Sequence, residues 1–350
     1  MAKYEWSEVF MSIEGEAKYA GHPTVYIRFA RCNFKCPKFN NYFSNCPTCG
    51  GNGKINLRET GPYQFDGDLC PECEGRTVID KPNIQANGYA TLNFNPKHYK
   101  TLQEIPLIHK GCDSQYAVNP EFAHMWHKGD EKQLAAEVLK VLPHNTFQNP
   151  ETGKRVILSL TGGEPTIRLK FWVPLLEELY QHGMRTILIE TNCAAPMREK
   201  DLHDFYTWAG NAALQSLSLS EGPLTVIWSN SPKLQSSGEK WNDAIRPEIA
   251  ISQTKAQEVL EQPWPNLDVE QYFKFVCGPN EKDFSEVETA MNAYYAAGVP
   301  KNSDVYIMPV ACTEEQQQEI SAKVAHMCIM KGYIYCHRIQ NSVFGNGVGT

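Results

Sequence analysis

The sequence predicts an α/β fold built on a parallel sheet, on two observations. Short runs rich in β-branched and aromatic residues recur along the chain, and from about residue 154 onward amphipathic segments fill the gaps between them. The candidate strands are Thr24–Ala30, Val156–Leu160, Thr186–Thr191, Leu224–Ser229, Tyr272–Cys277 and Val305–Val310. In the segment 132–142, Leu134, Val138, Val141 and Leu142 fall on one helical face. In the segment 313–332, Thr313 and Gln316 form a capping box and Gly332 ends the helix. This alternation implies a parallel sheet, open or curled into a partial barrel, with ligands at the carboxyl ends of its strands. Residues 37–111 break the rhythm, being rich in Gly, Pro, Asn and polar residues, and are read as an inserted module.

Composition narrows the class. The 350 residues are 42% hydrophobic and 21% charged, the balance of a globular protein. A formal net charge of −7 gives no overall basic field, so nucleic acid is not indicated as a partner. The opening segment carries charges throughout and lacks the apolar core of a signal peptide, and no run is long enough to span a bilayer. A cytoplasmic protein without a membrane partner is therefore expected. The 12 cysteines need a reason in such a compartment, and seven of them crowd the first third of the chain at short spacings. Metal is the natural reading. The other five, Cys193, Cys277, Cys312, Cys328 and Cys336, are expected as small buried residues.

Two motifs follow predicted strands. Cys32 and Cys36 come directly after the first, and thiolates are the standard ligands of iron–sulfur clusters. A cluster that binds substrate needs one iron free of protein, hence three cysteines rather than four. Thr161-Gly162-Gly163-Glu164-Pro165 follows the second strand, and its glycines suit a backbone that approaches a ligand closely and offers it N–H groups. Within the insert, Cys46, Cys49, Cys70 and Cys73 form two CxxC pairs with the spacing of a tetrahedral zinc site. An auxiliary iron–sulfur cluster is the competing reading for these four.

In these motifs the sequence resembles the radical S-adenosylmethionine superfamily, and within it the 7-carboxy-7-deazaguanine synthases. The resemblance runs in order along nearly all of the chain outside the insert. It includes Ser12-Ile13-Glu14-Gly15-Glu16, Tyr26-Ile27-Arg28-Phe29, the paired cysteines, Thr161 to Pro165 and Glu190-Thr191-Asn192. It continues through Ser231-Pro232-Lys233, Lys274-Phe275-Val276 and Met308-Pro309 to Arg338-Ile339-Gln340, Phe344-Gly345-Asn346 and Gly349-Thr350. The family commonly places its third cluster cysteine two residues after the second, where this chain has Phe39. Cys112-Asp113-Ser114, beyond the insert, resembles the missing segment, so the insert splits the motif. A rival triad uses Cys32, Cys46 and Cys49.

The resemblance implies a partial (β/α)6 barrel of the radical SAM type over residues 1–36 and 112–350, with residues 37–111 as an inserted zinc-binding subdomain. It implies a [4Fe-4S] cluster on Cys32, Cys36 and Cys112, and S-adenosylmethionine held by Gly162, Gly163, Glu164, Ser231, Pro232 and Lys233. It further implies Mg²⁺ on Ser114 and a pterin pocket lined by Glu14, Gly15, Glu16, Arg28, Thr161 and Thr350, while the CxxC spacing of the insert implies Zn²⁺ on its four cysteines. Glu16, Arg28 and Thr161 would be catalytic. The implied reaction converts 6-carboxy-5,6,7,8-tetrahydropterin to 7-carboxy-7-deazaguanine with loss of ammonia. A protein reductant for the cluster is implied, and a homodimer is compatible. Four positions depart from the family pattern. Glu14 stands for glutamine, Ala17 and Cys193 for glycines, and Ser114 for threonine. An activase that places a radical on a partner protein, or a non-catalytic binding protein acting through its zinc module, are the alternatives.

Overall fold

The computed structural model describes residues 3–39, 54–55, 68–69, 84–108, 111–259, 264–345 and 347–349, with backbone alone for 54–55, 68–69 and 256–259. The strands are β1 (Tyr4–Ile13), β2 (Pro23–Phe29), β3 (Lys54–Ile55), β4 (Asp68–Leu69), β5 (His127–Gly129), β6 (Ile157–Gly162), β7 (Thr186–Thr191), β8 (Leu224–Asn230), β9 (Leu267–Cys277), β10 (Val305–Pro309) and β11 (Ile334–Tyr335). The helices are α1 (Gln115–Val118), α2 (Glu131–Val141), α3 (Trp172–Tyr180), α4 (Glu199–Ser218), α5 (Trp241–Ala244), α6 (Pro247–Val259), α7 (Glu281–Ala297), α8 (Glu314–Lys331) and α9 (Ile339–Phe344). All six expected strands are present. The expected capping box forms on α8, and Gly332 closes that helix in the left-handed conformation. None of the described helices is long and apolar enough to cross a membrane.

One mixed sheet of nine strands carries the fold, in the order β11-β10-β9-β8-β7-β6-β2-β1-β5, while β3 and β4 pair separately. From β2 to β11 all neighbours run parallel, and β1 and β5 add antiparallel pairings at the other edge. Each parallel strand is laid beside its predecessor in the same direction. Right-handed crossovers that always step one way put their helices on one face. Side-chain alternation agrees with this. Val25, Ile27, Leu158, Leu160, Ile187, Ile189, Val226 and Trp228 pack against apolar residues of α2, α3 and α4. Phe273, Phe275, Val305 and Ile307 pack in the same way against α7 and α8. The intervening residues of the same strands must face the other side, and there they line a cavity at the carboxyl ends.

Neither β1 nor β5 is legible as a strand in the sequence, and β1 shows why. Its pairing with β2 shifts register between Trp6 and Glu8. Tyr4 and Trp6 pack in the helix-side core, as do Val9 and Met11 after the irregularity. The bulge thus reverses the alternation, breaking the period-two signal and turning Glu8 and Phe10 toward the opposite face.

The interval 37–111 is not wholly separate. Tyr89, Leu102 and Ile108 join Tyr116, Phe122, Met125 and Trp126 in one core cluster, and the Tyr89 hydroxyl donates to Val118 O at 3.0 Å. Residues 84–108 thus pack on the main body. Cys46, Cys49, Cys70 and Cys73 lie outside the described residues, as does Thr350.

Candidate active site

A cavity of about 490 Å³ opens at the carboxyl ends of the parallel strands. Cysteines stand at one end of it. Cys32 follows β2, and the turn after it is tight, with Arg31 at φ 79° and Cys36 at φ 44°. Left-handed backbone at non-glycine residues persists only when its surroundings hold it there. Here Glu239 does so, its Oε1 accepting from Lys35 N at 2.9 Å and Cys36 N at 2.7 Å. Lys38 N donates to Ser237 O at 3.0 Å, and Gly111 N donates to Phe39 O at 2.7 Å. The chain therefore departs at residue 39 and returns at residue 111 within one hydrogen bond, which brings Cys112 beside Cys36.

Cys32, Cys36 and Cys112 all line the cavity. Burial pushes all three thiols up, Cys112 to about 12, and Cys112 raises the other two further. The Lys233 ammonium opposes this at each thiol. Such thiols bind a metal only by giving up their protons to it. No group of three or more His, Cys, Asp or Glu side chains among the described residues is arranged to hold a single metal ion. A cluster makes a different demand, because its three cysteines bind three different irons and stand further apart than the ligands of one ion. Three cavity-facing thiols with a lysine beside them fit that donor set.

The glycine motif works differently from the sequence expectation. Gly163 N donates to Phe29 O at 3.0 Å and Glu164 N donates to Arg31 O at 2.9 Å, so neither amide is left for a ligand. A Cβ on Gly163 would meet Arg31 O at 1.8 Å, and one on Gly162, whose φ is +119°, would meet Phe29 O at 2.3 Å. The close approach these glycines permit is to the cysteine-bearing strand end. Glu164 is fully buried and accepts from Thr166 N, Thr166 Oγ1, Thr191 Oγ1 and Asn192 N at 3.1, 2.6, 2.8 and 2.7 Å. It ties the end of β6 to the end of β7. Of the six expected cofactor residues, Gly162, Gly163, Ser231 and Lys233 line the cavity, and Glu164 and Pro232 are not among its lining residues. Ser231 and Lys233, with Nζ 3.1 Å from Oγ, bring a hydroxyl and an ammonium to the thiol end, which fits an anionic group such as the carboxylate of S-adenosylmethionine.

Charged side chains line the remainder. Arg28 Nε donates to Glu8 Oε1 at 2.7 Å, as does the Tyr116 hydroxyl at 2.7 Å. The guanidinium lies 5.6 Å from the Phe10 ring centre and 5.7 Å from that of Tyr116. Glu16 Oε1 accepts from Arg338 Nε at 3.2 Å and Gln340 Nε2 at 2.9 Å, and its other oxygen accepts from Lys274 Nζ. Burial would raise the Glu16 carboxyl, but the Lys274 and Arg338 cations outweigh it and hold it low and ionised. Arg338 also donates to Asp113 Oδ2 at 2.7 Å. Thr161 Oγ1 donates to Glu190 Oε2 at 3.2 Å. A Cβ on Gly15 would collide with Gln340 Oε1 at 1.8 Å, so the opening and closing motifs interlock there.

Glu14, Gly15, Glu16, Arg28 and Thr161, scattered along the sequence, thus meet in one cavity with the cysteines. Ser114 joins them, but its Oγ accepts from Arg28 Nη1 at 3.1 Å. The guanidinium of Arg28 and the carboxylate of Asp113, 3.4 Å from the same hydroxyl, are thus the neighbours of the residue expected to hold Mg²⁺. Glu8, Asp113, Tyr116, Glu190, Lys274, Arg338 and Gln340 were not assigned roles by sequence reasoning. Most stood inside motifs that carried the resemblance, and that placement was the available signal.

No family profile matches the sequence. No curated protein matches it either. Among solved structures the chain is similar to the crystal structure of QueE from Escherichia coli, at 14% identity and a TM-score of 0.41, over 95% of this chain and 93% of that one. A likeness this distant assigns neither activity nor site residues.

Proposed function

We propose that this chain is a radical S-adenosylmethionine enzyme acting on a carboxylated pterin, in the manner of the 7-carboxy-7-deazaguanine synthases that its motifs resemble. The observation that carries the reading is the convergence of Cys32, Cys36 and Cys112 on one cavity, through the hydrogen bond between Phe39 and Gly111. In this reading a [4Fe-4S] cluster bound there would supply the electron for reductive cleavage of S-adenosylmethionine.

The chain's own residues have the rest of the work. Ser231 and Lys233 stand at the thiol end to orient the methionine portion. Arg28, Lys274 and Arg338, each held by a carboxylate partner, bring N–H donors to the cavity wall, where guanidinium forks match the planar carboxylate of the substrate. Glu14 and the Thr161–Glu190 pair offer acceptors to the N–H edge of the ring. Leu102, Ile105 and Ile108 close one side with apolar surface and keep water away from a reactive intermediate.

Incubating the anaerobically reconstituted, reduced protein with S-adenosylmethionine and 6-carboxy-5,6,7,8-tetrahydropterin tests the proposal. The expected result is 7-carboxy-7-deazaguanine with release of ammonia. Cleavage of S-adenosylmethionine without consumption of the pterin would refute the substrate. Failure to cleave S-adenosylmethionine would refute the reaction class.

A further inference from the structure

Glu14 stands where the resemblance places glutamine, and its surroundings treat it unlike the other cavity carboxylates. Each nearby cation has its own partner. Arg28 pairs with Glu8, Lys274 with Glu16, and Arg338 with both Glu16 and Asp113. Glu14, only 3% exposed, has no cation within ion-pair distance among the described residues. Its Oε1 accepts from Glu16 N at 3.1 Å, and its Oε2 lies 3.0 Å from the Tyr26 hydroxyl. That same hydroxyl lies 3.1 Å from Ile13 O. A tyrosine hydroxyl has one proton and can satisfy only one of two acceptors. Both contacts are satisfied if the tyrosine donates to Ile13 O and the carboxyl donates to the tyrosine oxygen.

We propose that Glu14 occupies the cavity as the neutral carboxylic acid, its proton directed at Tyr26, and that this uncharged state is what admits a carboxylate-bearing ligand. Ionised, it would be a buried charge with no ion-pair partner among the described residues, an arrangement strongly disfavoured in a low-dielectric interior. It would also face any anionic ligand with an uncompensated negative charge. Neutral, it keeps free lone pairs for a ligand N–H and repels nothing. The titratable and charged groups around it are Tyr26 from β2, Glu190 from β7, Tyr272 and Lys274 from β9, Glu16 from its own turn, and Cys336. Burial, then the Glu190 charge, push its carboxyl from the ordinary range up to about 8, and Lys274 opposes them. The ligand class rests on the functional reading above, whereas the protonation does not.

Linkage fixes the sign of the pH effect. When an acid is raised on folding, the unfolded chain loses its proton first, so stability falls as pH rises from the unfolded value of 4.5 to the folded value of about 8. In that window the folding constant of the full chain, relative to Glu14→Gln, should fall by up to about tenfold per pH unit. Infrared spectra at neutral pH should show a protonated-carboxyl band that disappears in Glu14→Gln and moves to higher frequency in Tyr26→Phe, which removes the proton's acceptor. Cluster-free protein should bind 6-carboxy-5,6,7,8-tetrahydropterin more weakly at pH 9 than at pH 6, and Glu14→Gln should lose this dependence. Identical infrared spectra and parallel stability curves for wild type and Glu14→Gln would overturn the protonation. A confirmed band with no pterin binding at either pH would overturn the ligand class, and with it the pterin reading, while leaving the neutral acid standing.

Discussion

Replacing Gly163 by alanine isolates what the glycine motif does. The new Cβ would stand 1.8 Å from Arg31 O, whereas ordinary contact begins at 3.4 Å, so a gap of about 1.6 Å must open. Two hydrogen bonds resist that opening, Gly163 N to Phe29 O and Glu164 N to Arg31 O, at 3.0 and 2.9 Å. Losing them costs about 1 kcal/mol each. Forcing an extra carbon between packed backbones adds about 1–3 kcal/mol. The expected destabilisation is therefore about 3–5 kcal/mol. Because Arg31 immediately precedes Cys32, the displacement should also expose that thiol and speed its alkylation. Gly222→Ala is the control, since nothing lies within 4 Å of its added carbon. It should change stability by no more than about 0.5 kcal/mol. Denaturant unfolding of both variants gives the comparison. Equal midpoints for Gly163→Ala and Gly222→Ala would refute the packing role.

The buried ionic cluster and the Glu164 strut give two further predictions. Lys274→Met strips Glu16 of one of its two cations and should cost about 3 kcal/mol in denaturant unfolding, the low end for a broken buried pair, because Arg338 remains. Adding Glu16→Gln should restore part of that loss, and a purely additive double variant would contradict the coupling. Glu164→Gln turns an amide donor toward groups that already donate, and should cost about 1–3 kcal/mol, with no loss contradicting the strut.

How far the sequence disclosed the fold depends on which physical signal each element carries. The parallel strands buried against helices, such as Leu224–Asn230, centre on short apolar and β-branched runs, here Val226–Trp228, and stand out. Strand β1 did not, because its bulge reverses the alternation of buried residues along it. The site was legible where covalent neighbours mark it, at Cys32, Cys36 and Thr161 to Gly163. The joining of Cys112 to Cys36 was an inference from local resemblance, and its physical basis, the Phe39–Gly111 hydrogen bond, is a long-range contact that no local pattern encodes. Gly163 is partly legible for a related reason. A glycine signals a close approach, but only the tertiary structure shows that the Arg31 backbone is one of the groups that come close. Glu8 and Asp113 stayed hidden because a buried ion pair looks like surface charge until both partners are placed.

Cys112 is the proposed third cluster ligand, the residue that the split motif makes or breaks. Anaerobic reconstitution of wild type, Cys112→Ala and Cys193→Ala with iron and sulfide, followed by iron analysis and visible absorbance, tests it directly. Wild type and Cys193→Ala should each hold about four irons and turn brown, since Cys193 is a buried thiol outside the cavity lining. Cys112→Ala should lose most of its iron and its colour. A Cys112→Ala protein that assembles a wild-type cluster would contradict the account.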